Sequence, residues 1–406
     1  MIAGWGPDDR DGLTPLPGGV TATPGFRASG IVSGVKPSGR PDLALVVADG
    51  PATAAVMTTT NLVKAPACVL AERHAADGHA RAVVVNAGNA NVCTPEAEAH
   101  AERLTAAAAT ALDLDPTEVL PMSTGVIGVP LPIETIEAAM PEAAAALTAD
   151  GGGRAAEAIM TTDTVTKEVA IAVTDDAGGR CVIAGMAKGV GMIEPAMATL
   201  LVVLTTDAPI NGALLQQLLR GAVGRTFNRI SVDGDGSTSD TVALLATGTA
   251  EHPPGIDAIT RGLTAVCADL AHAVVADGEG ATRVAAITVR GAAQEADAER
   301  LARAVATSLL VRAAIHGADP NWGRILMAMG TAGVAFEPRR VSVAIGGVTV
   351  CRFGVATSFD RGIASAAMRK PEVTIDVDLG VGTAAATLLT CDLTPEYVRF
   401  NAEYTT

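Results

Sequence analysis

Short aliphatic and β-branched runs alternate with alanine-rich stretches of helical period along most of this chain, and that order restricts it to an α/β or α+β architecture. Residues 43–47 (LALVV) and 82–85 (AVVV) read as buried strands, and 96–112 (EAEAHAERLTAAAATAL) reads as a helix. Further helices are expected from Ile133, from Ala258 and, as one long element, from Ala293, after which strand-like alternation returns in RVSVAI and VTIDVDL. The first 25 residues, rich in Gly, Pro and Asp, show no period and read as a surface arm, and TADGGGR near Gly151 reads as an exposed loop. At about 100–200 residues per domain, 406 residues make two or three domain-sized units or two lobes. No repeat or low-complexity linker divides them.

Composition narrows the partners. Lys and Arg number 29 against 44 Asp and Glu, a net charge of −15 that disfavours nucleic acid and membrane surfaces. The hydrophobic class reaches 49% with aromatics at 2%, so the core is built from Ala, Val, Leu and Ile, and an aromatic platform for stacking bases is excluded. No apolar run approaches the roughly 20 residues of a bilayer span, and the start, MIAGWGPDDRDG, lacks a basic region followed by an apolar one. A soluble cytoplasmic protein is expected. The 6 cysteines and 6 histidines are scattered without CxxC or zinc-type spacing, and there is no P-loop or GxGxxG. Reduced thiols, no metal and no cofactor follow as expectations. DGDGSTSDT, from Asp233, fails the EF-hand pattern because Thr238 stands at its sixth position and Leu244 at its twelfth, and it reads as a structural turn.

The sharpest local feature runs from Gly185 to Ala208, GMAKGVGMIEPAMATLLVVLTTDA. A Gly-punctuated stretch containing Pro195 leads to Ala198, and Thr199 then opens the apolar run LLVVL. A β-branched residue often simply begins a strand. A hydroxyl where an irregular loop meets a buried strand is also placed to attack its own preceding carbonyl. Cleavage between Ala198 and Thr199 would create an N-terminal threonine whose α-amine, with an ordinary pKa of about 7.7–8, serves as the base for its own hydroxyl. No histidine is then required.

MAKGVGMIEPAMATLLVVLTTDA resembles the autoprocessing segment of the ornithine acetyltransferase, or glutamate N-acetyltransferase, family. Eight further family-like strings occur in the family's order across nearly the whole chain: GFRASGIVSGVK, VVNAGNANVCT, STGVIG, IMTTDTVTK, DGDGSTSDT, DGEGATR, GADPNWGRI and DLTPEYVRFNAEYTT. The resemblance implies layered sheets flanked by helices, of N-terminal-nucleophile type, in two autoprocessed fragments: 1–198 with the oxyanion hole, and 199–406 with the nucleophile.

By the same resemblance Thr199 is the nucleophile, Thr124 and Gly125 form the oxyanion hole, and Lys188 binds a substrate carboxylate. Either Thr161 or Thr162 binds substrate. Glu279 receives the δ-ammonium of an ornithine moiety, and Asn401 and Thr406, by generic rules a frayed tail, contact substrate. Trp322, in GADPNWGRI, either packs a subunit contact or shapes the pocket.

The implied reaction moves the acetyl group of N-acetylornithine to glutamate through an acetyl-Thr199 intermediate, with acetyl-CoA left open as a second donor. The implied assembly is a heterotetramer of two of each fragment, or a multiple of it. The rival is a self-cleaving amidase or aminopeptidase of similar architecture, in which water resolves the acyl-enzyme.

Overall fold

The runs LALVV and AVVV become neighbouring strands, Leu43–Ala48 and Ala82–Asn89, at the centre of a four-stranded sheet. The computed structural model describes residues 2, 4–7, 9–194 and 200–403, and in it Phe26–Ile31 and Val119–Val126 complete the two edges of this sheet. Strand periodicity sorts the sheet's faces. Leu43, Leu45, Val47 and Val84 pack with Leu104 and Ala108 of helix Ala97–Leu112 and with Ile133, Ile136 and Met140 of helix Ile133–Ala145. Val46, Val83, Val85, Leu120 and Met122 pack the other way, onto Met186, Leu201, Val203 and Ala243 of a second sheet.

That second sheet has six strands in the order Leu13–Leu16, Lys167–Thr174, Arg180–Lys188, Leu201–Thr206, Thr241–Ala246 and Thr53–Thr58. Only the pair Leu201–Thr206 with Thr241–Ala246 is parallel. Helix Ile256–Ala276 lies on its far face, where a Cβ on Gly262 would stand 2.4 Å from the Val173 side chain. Helices, sheet, sheet and helix are thus stacked as the expected layered α/β arrangement.

The chain forms two compact units. One comprises Asp9–Asn228 and Asp235–Val274 and holds both of these sheets; the other comprises Arg229–Gly234 and Val275–Tyr404 together with the first residues. The second unit is built on a seven-stranded sheet in the order Ile230–Ser231, Ala384–Cys391, Val284–Ala292, Glu372–Asp378, Ser342–Ile345, Val348–Arg352 and Val355–Ala356. Its core joins Ile287, Val289, Val343, Val373 and Ile375 to Leu301 and Val305 of helix Glu295–Ala306 and Ile315 of helix Leu309–His316. Trp322 opens helix Trp322–Gly330 and packs half-buried against that core.

Four expectations need correction. Leu13–Leu16, inside the supposed arm, is an edge strand in register with residues 170–173. Gly151 is buried and packed so tightly on the Ala28 carbonyl that no Cβ would fit, and helix Gly152–Ala158 starts at the next residue, so the centre of TADGGGR is packed rather than an exposed loop. The single helix expected from Ala293 is two, because the Ser308 side chain caps a new helix at Leu309 by accepting the Val311 N–H at 3.4 Å. One described helix, Ile256–Ala276, is long and apolar enough by length and composition to cross a bilayer; however, 67% of its apolar stretch is buried, and its Asp269 pairs with Arg10 at 2.7 Å. It is a core helix.

Candidate active site

Thr124 and Gly125 lie near the end of strand Val119–Val126, paired in parallel register with Ala87 and Gly88. Gly125 has a φ of +132°, and a Cβ there would fall 2.2 Å from the Gly88 carbonyl carbon. Only glycine fits this turn of the backbone. The strand beneath is fixed by Ser123, whose hydroxyl donates to Asn86 Oδ1 at 2.6 Å.

Lys188 is the last residue of strand Arg180–Lys188 and is 2% exposed, so it is a buried cation rather than a solvated loop lysine. Its Nζ donates to Thr124 Oγ1 at 3.2 Å. Across the sheet Lys188 is in register with Leu201, which stands two positions after Thr199 in the sequence. Ala198, Thr199 and Thr406 lie outside the described residues.

Burying a lysine demands a counter-charge. Asp163 supplies it: its Oδ1 accepts from Lys167 Nζ at 2.7 Å and from the Gly189 N–H at 2.8 Å, and its Oδ2 accepts the Thr161 N–H at 3.0 Å. Burial pushes this carboxyl up, but the ammoniums of Lys188 and Lys167 outweigh it and hold the pKa down to about 2. Asp163 therefore ties the Thr161–Thr162 segment, both residues half-buried, to the end of the strand that carries Lys188. Lys36 belongs to the same field. Burial and the repulsion of Arg40 and Lys188 lower its pKa to about 8 against the pull of Asp42 and Asp163, while its Nζ donates to the Ala158 carbonyl at 3.2 Å. In a chain of net charge −15, Lys188, Lys167 and Lys36 thus share one buried electrostatic field with Asp163.

Asp240 is fully buried, and its Oδ1 accepts the N–H of Leu200 at 3.0 Å. Burial raises its carboxyl well above the usual range against the pull of that N–H, of Lys188 and of the Ser237 and Thr59 hydroxyls. Its string, read from sequence as a structural turn, thus holds the residue that follows Thr199.

The second unit carries Glu279 and Asn401. Asn401 Nδ2 donates to Glu279 Oε2 at 2.9 Å and to the Tyr397 carbonyl at 3.1 Å, so the terminal helix Pro395–Glu403 reaches back onto the DGEGATR loop. Gly280, at φ +68°, makes this possible, because a Cβ there would stand 2.6 Å from the Tyr397 nitrogen. The two residues expected to contact substrate from distant parts of the sequence are hydrogen-bonded to each other.

Sequence reasoning assigned no role to Asp163, Lys167, Lys36 or Asp240. The Asp163/Lys167 pair had a legible signal, an acid four residues before a lysine, but a strand rather than a helix begins at Lys167. All six cysteines are free, and only Cys93 is exposed.

The family model of the ArgJ family matches residues 27–406. The arginine biosynthesis bifunctional protein ArgJ of Gloeobacter violaceus is 45% identical over 402 residues, covering 96% of this chain and 98% of that one. The protein of the same name from Thermus thermophilus is 47% identical over 384 residues, covering 94% and 98%. A crystal structure of ornithine acetyltransferase complexed with ornithine, from Mycobacterium tuberculosis, is 38% identical, with 46% of this chain and 99% of that chain covered at a TM-score of 0.42. On the match from residue 27 to the end and on relatives aligned over almost their whole length, this chain belongs to the ArgJ family.

Proposed function

We propose that the protein is a glutamate N-acetyltransferase of the ornithine acetyltransferase type, working by two displacements on an N-terminal Thr199 freed by self-cleavage after Ala198. The observation that carries this reading is the contact of Lys188 with Thr124, in a strand whose register partner is Leu201. It links the oxyanion donors to the stretch of chain that begins with the nucleophile.

In the first displacement the Thr199 hydroxyl oxygen attacks the acetyl carbonyl of N-acetylornithine, and its proton passes to the Thr199 α-amine. The carbonyl oxygen becomes an oxyanion, which accepts hydrogen bonds from the Gly125 N–H and the Thr124 hydroxyl. Because Lys188 donates into Thr124 Oγ1, the hydroxyl proton is directed outward and the O–H is polarised toward the oxyanion. The C–N bond then breaks, the α-ammonium returns its proton to the leaving amine, and ornithine departs. In the second displacement the glutamate amine attacks the acetyl ester, and the Thr199 oxygen leaves with its proton restored. Lys188 takes a substrate carboxylate, Glu279 takes the δ-ammonium, and Thr161 or Thr162, Asn401 and Thr406 complete the polar contacts.

Cytoplasmic location, a heterotetramer of the two fragments and acetyl-CoA as a second donor belong to the same reading. The test is incubation of purified protein with N-acetylornithine, with and without glutamate. N-acetylglutamate formed only in the presence of glutamate supports transfer, whereas acetate released at the same rate in both overturns it in favour of hydrolysis. Acetyl-CoA in place of N-acetylornithine reads the second donor.

A further inference from the structure

Asp392 follows the strand Ala384–Cys391, and its side chain is fully buried. It gathers polar partners from two directions. Oδ1 accepts the N–H groups of Thr282 at 2.7 Å and Arg283 at 2.9 Å. Oδ2 accepts the Thr282 hydroxyl at 2.6 Å and His316 Nδ1 at 2.9 Å, and the Arg283 guanidinium lies 3.6 Å away. Burial pushes the carboxyl up, but the bonds from Thr282, His316 and Arg283 outweigh it and keep the group below its ordinary value.

Two residues further on, the Thr394 hydroxyl donates to the Gly280 carbonyl at 2.8 Å and accepts the Tyr397 N–H at 3.2 Å. The loop carrying Glu279 is therefore anchored at 280, 282 and 283 from one short segment, which also starts the helix bearing Asn401. A carboxylate is a costly anchor if stability alone is at stake, because its desolvation is returned only by near-complete hydrogen bonding. Its use here fits a task in which position matters. A half-buried carboxylate such as Glu279 captures an ammonium well only if its loop is already ordered; otherwise ordering the loop consumes much of the interaction energy.

We propose that Asp392 is a positioning residue for the ornithine side of the reaction, holding residues 280–283 so that Glu279 is presented to the substrate's δ-ammonium. This rests on the reading of Glu279 as the ammonium's partner. Glutamate has no δ-ammonium, so the effect is confined to one of the two substrates. That separates positioning from a general structural role, which would weaken both alike.

The experiment uses the full-length, self-processed protein and measures kcat, KM for N-acetylornithine, KM for glutamate and the thermal midpoint. The variants are Glu279→Gln, Asp392→Asn and the double variant, with Thr282→Val and His316→Gln each probing one of the bonds to Asp392. Glu279→Gln is expected to raise KM for N-acetylornithine about tenfold or more, and Asp392→Asn several-fold, with KM for glutamate unchanged. The double variant is expected to be no worse than Glu279→Gln alone, because both act through one interaction. If Asp392→Asn does not fold, Thr282→Val and His316→Gln carry the same expectation with smaller factors.

Asp392→Asn leaving KM for N-acetylornithine unchanged while Glu279→Gln raises it would overturn the proposal. So would factors that multiply independently in the double variant, or equal losses for both substrates. An unchanged KM for N-acetylornithine in Glu279→Gln would instead overturn the assignment of Glu279, and the role of Asp392 with it.

Discussion

Lys188 Nζ lies 3.2 Å from Thr124 Oγ1, and the lysine is 2% exposed. If Thr124 donates to the oxyanion as proposed, a cation this close acts on the transition state as well as on substrate binding. Thr124→Val, which keeps the shape and removes the hydroxyl, is expected to lower kcat by about 10²–10³, the usual loss for one oxyanion donor. Lys188→Met is expected to lower kcat as well as to raise KM. Steady-state kinetics with both substrates separates the two effects, and a Lys188→Met variant altered only in KM would confine the lysine to carboxylate binding.

Self-cleavage is expected to leave fragments of 198 residues and, from 406 less 198, 208 residues. In the six-stranded sheet, Leu201–Thr206 and Thr241–Ala246 are inserted between Arg180–Lys188 and Thr53–Thr58, so the fragments' strands interleave. They should remain associated through gel filtration and part only under denaturing conditions. Intact-mass measurement reads the cut; Thr199→Ala stays at full length, and Thr199→Ser still cleaves.

Asp163 and Asp240 contribute to the pH dependence of stability with opposite signs. Asp163 is lowered to about 2 from 3.8 and is fully buried, so it stabilises the fold above the unfolded value by about 2 kcal/mol, lost as pH falls from 4 toward 2. Asp240 is raised, so the folded state binds the extra proton, and stability falls as pH rises above 3.8 toward its folded pKa. Asp240→Asn should remove the contribution of Asp240 to this second slope and leave that of Asp163. Thermal midpoints of wild type and variant from pH 2 to 8 test both signs, and a variant curve parallel to wild type throughout would contradict the burial of a titrating acid there.

If the Thr199 amine is the base, kcat/KM should fall as pH drops below an amine pKa near ~7.7–8 rather than a histidine pKa near ~6.5. Replacing each of the 6 histidines should leave kcat largely intact. One folded His→Ala variant with no turnover would defeat the assignment.

Deleting residues 401–406 removes the Asn401 bond to Glu279 but no side chain of the described core. Self-cleavage and the thermal midpoint are expected to stay near wild type. Acetyl transfer should fall about tenfold or more for each hydrogen bond to substrate that the tail no longer makes. Both activities are read on one preparation: full transfer would remove Asn401 and Thr406 from the site, and failure to cleave would assign the tail to folding.

What the sequence determined by itself was whatever depends on near neighbours along the chain. Short, wholly apolar runs such as LALVV and alanine-rich stretches of helical period located strands and helices, because each signal lies in contiguous residues. The strings around Thr199, STGVIG and DGEGATR were likewise legible as family motifs. Tertiary structure alone decided which of those strings meet. Asp163 and Lys188 lie 25 positions apart, Thr282 and Asp392 110 apart, and Glu279 and Asn401 122 apart. No periodicity carries such pairings, because they arise from sheet order and loop closure. The same holds for Gly151, which looks like part of a flexible loop in sequence and is instead demanded by the carbonyl of residue 28 brought against it. It holds too for Lys188 and Asp240, whose burial, and so the direction of the Asp240 pKa, is a property of the packed sheet around them and not of the residues beside them in the chain.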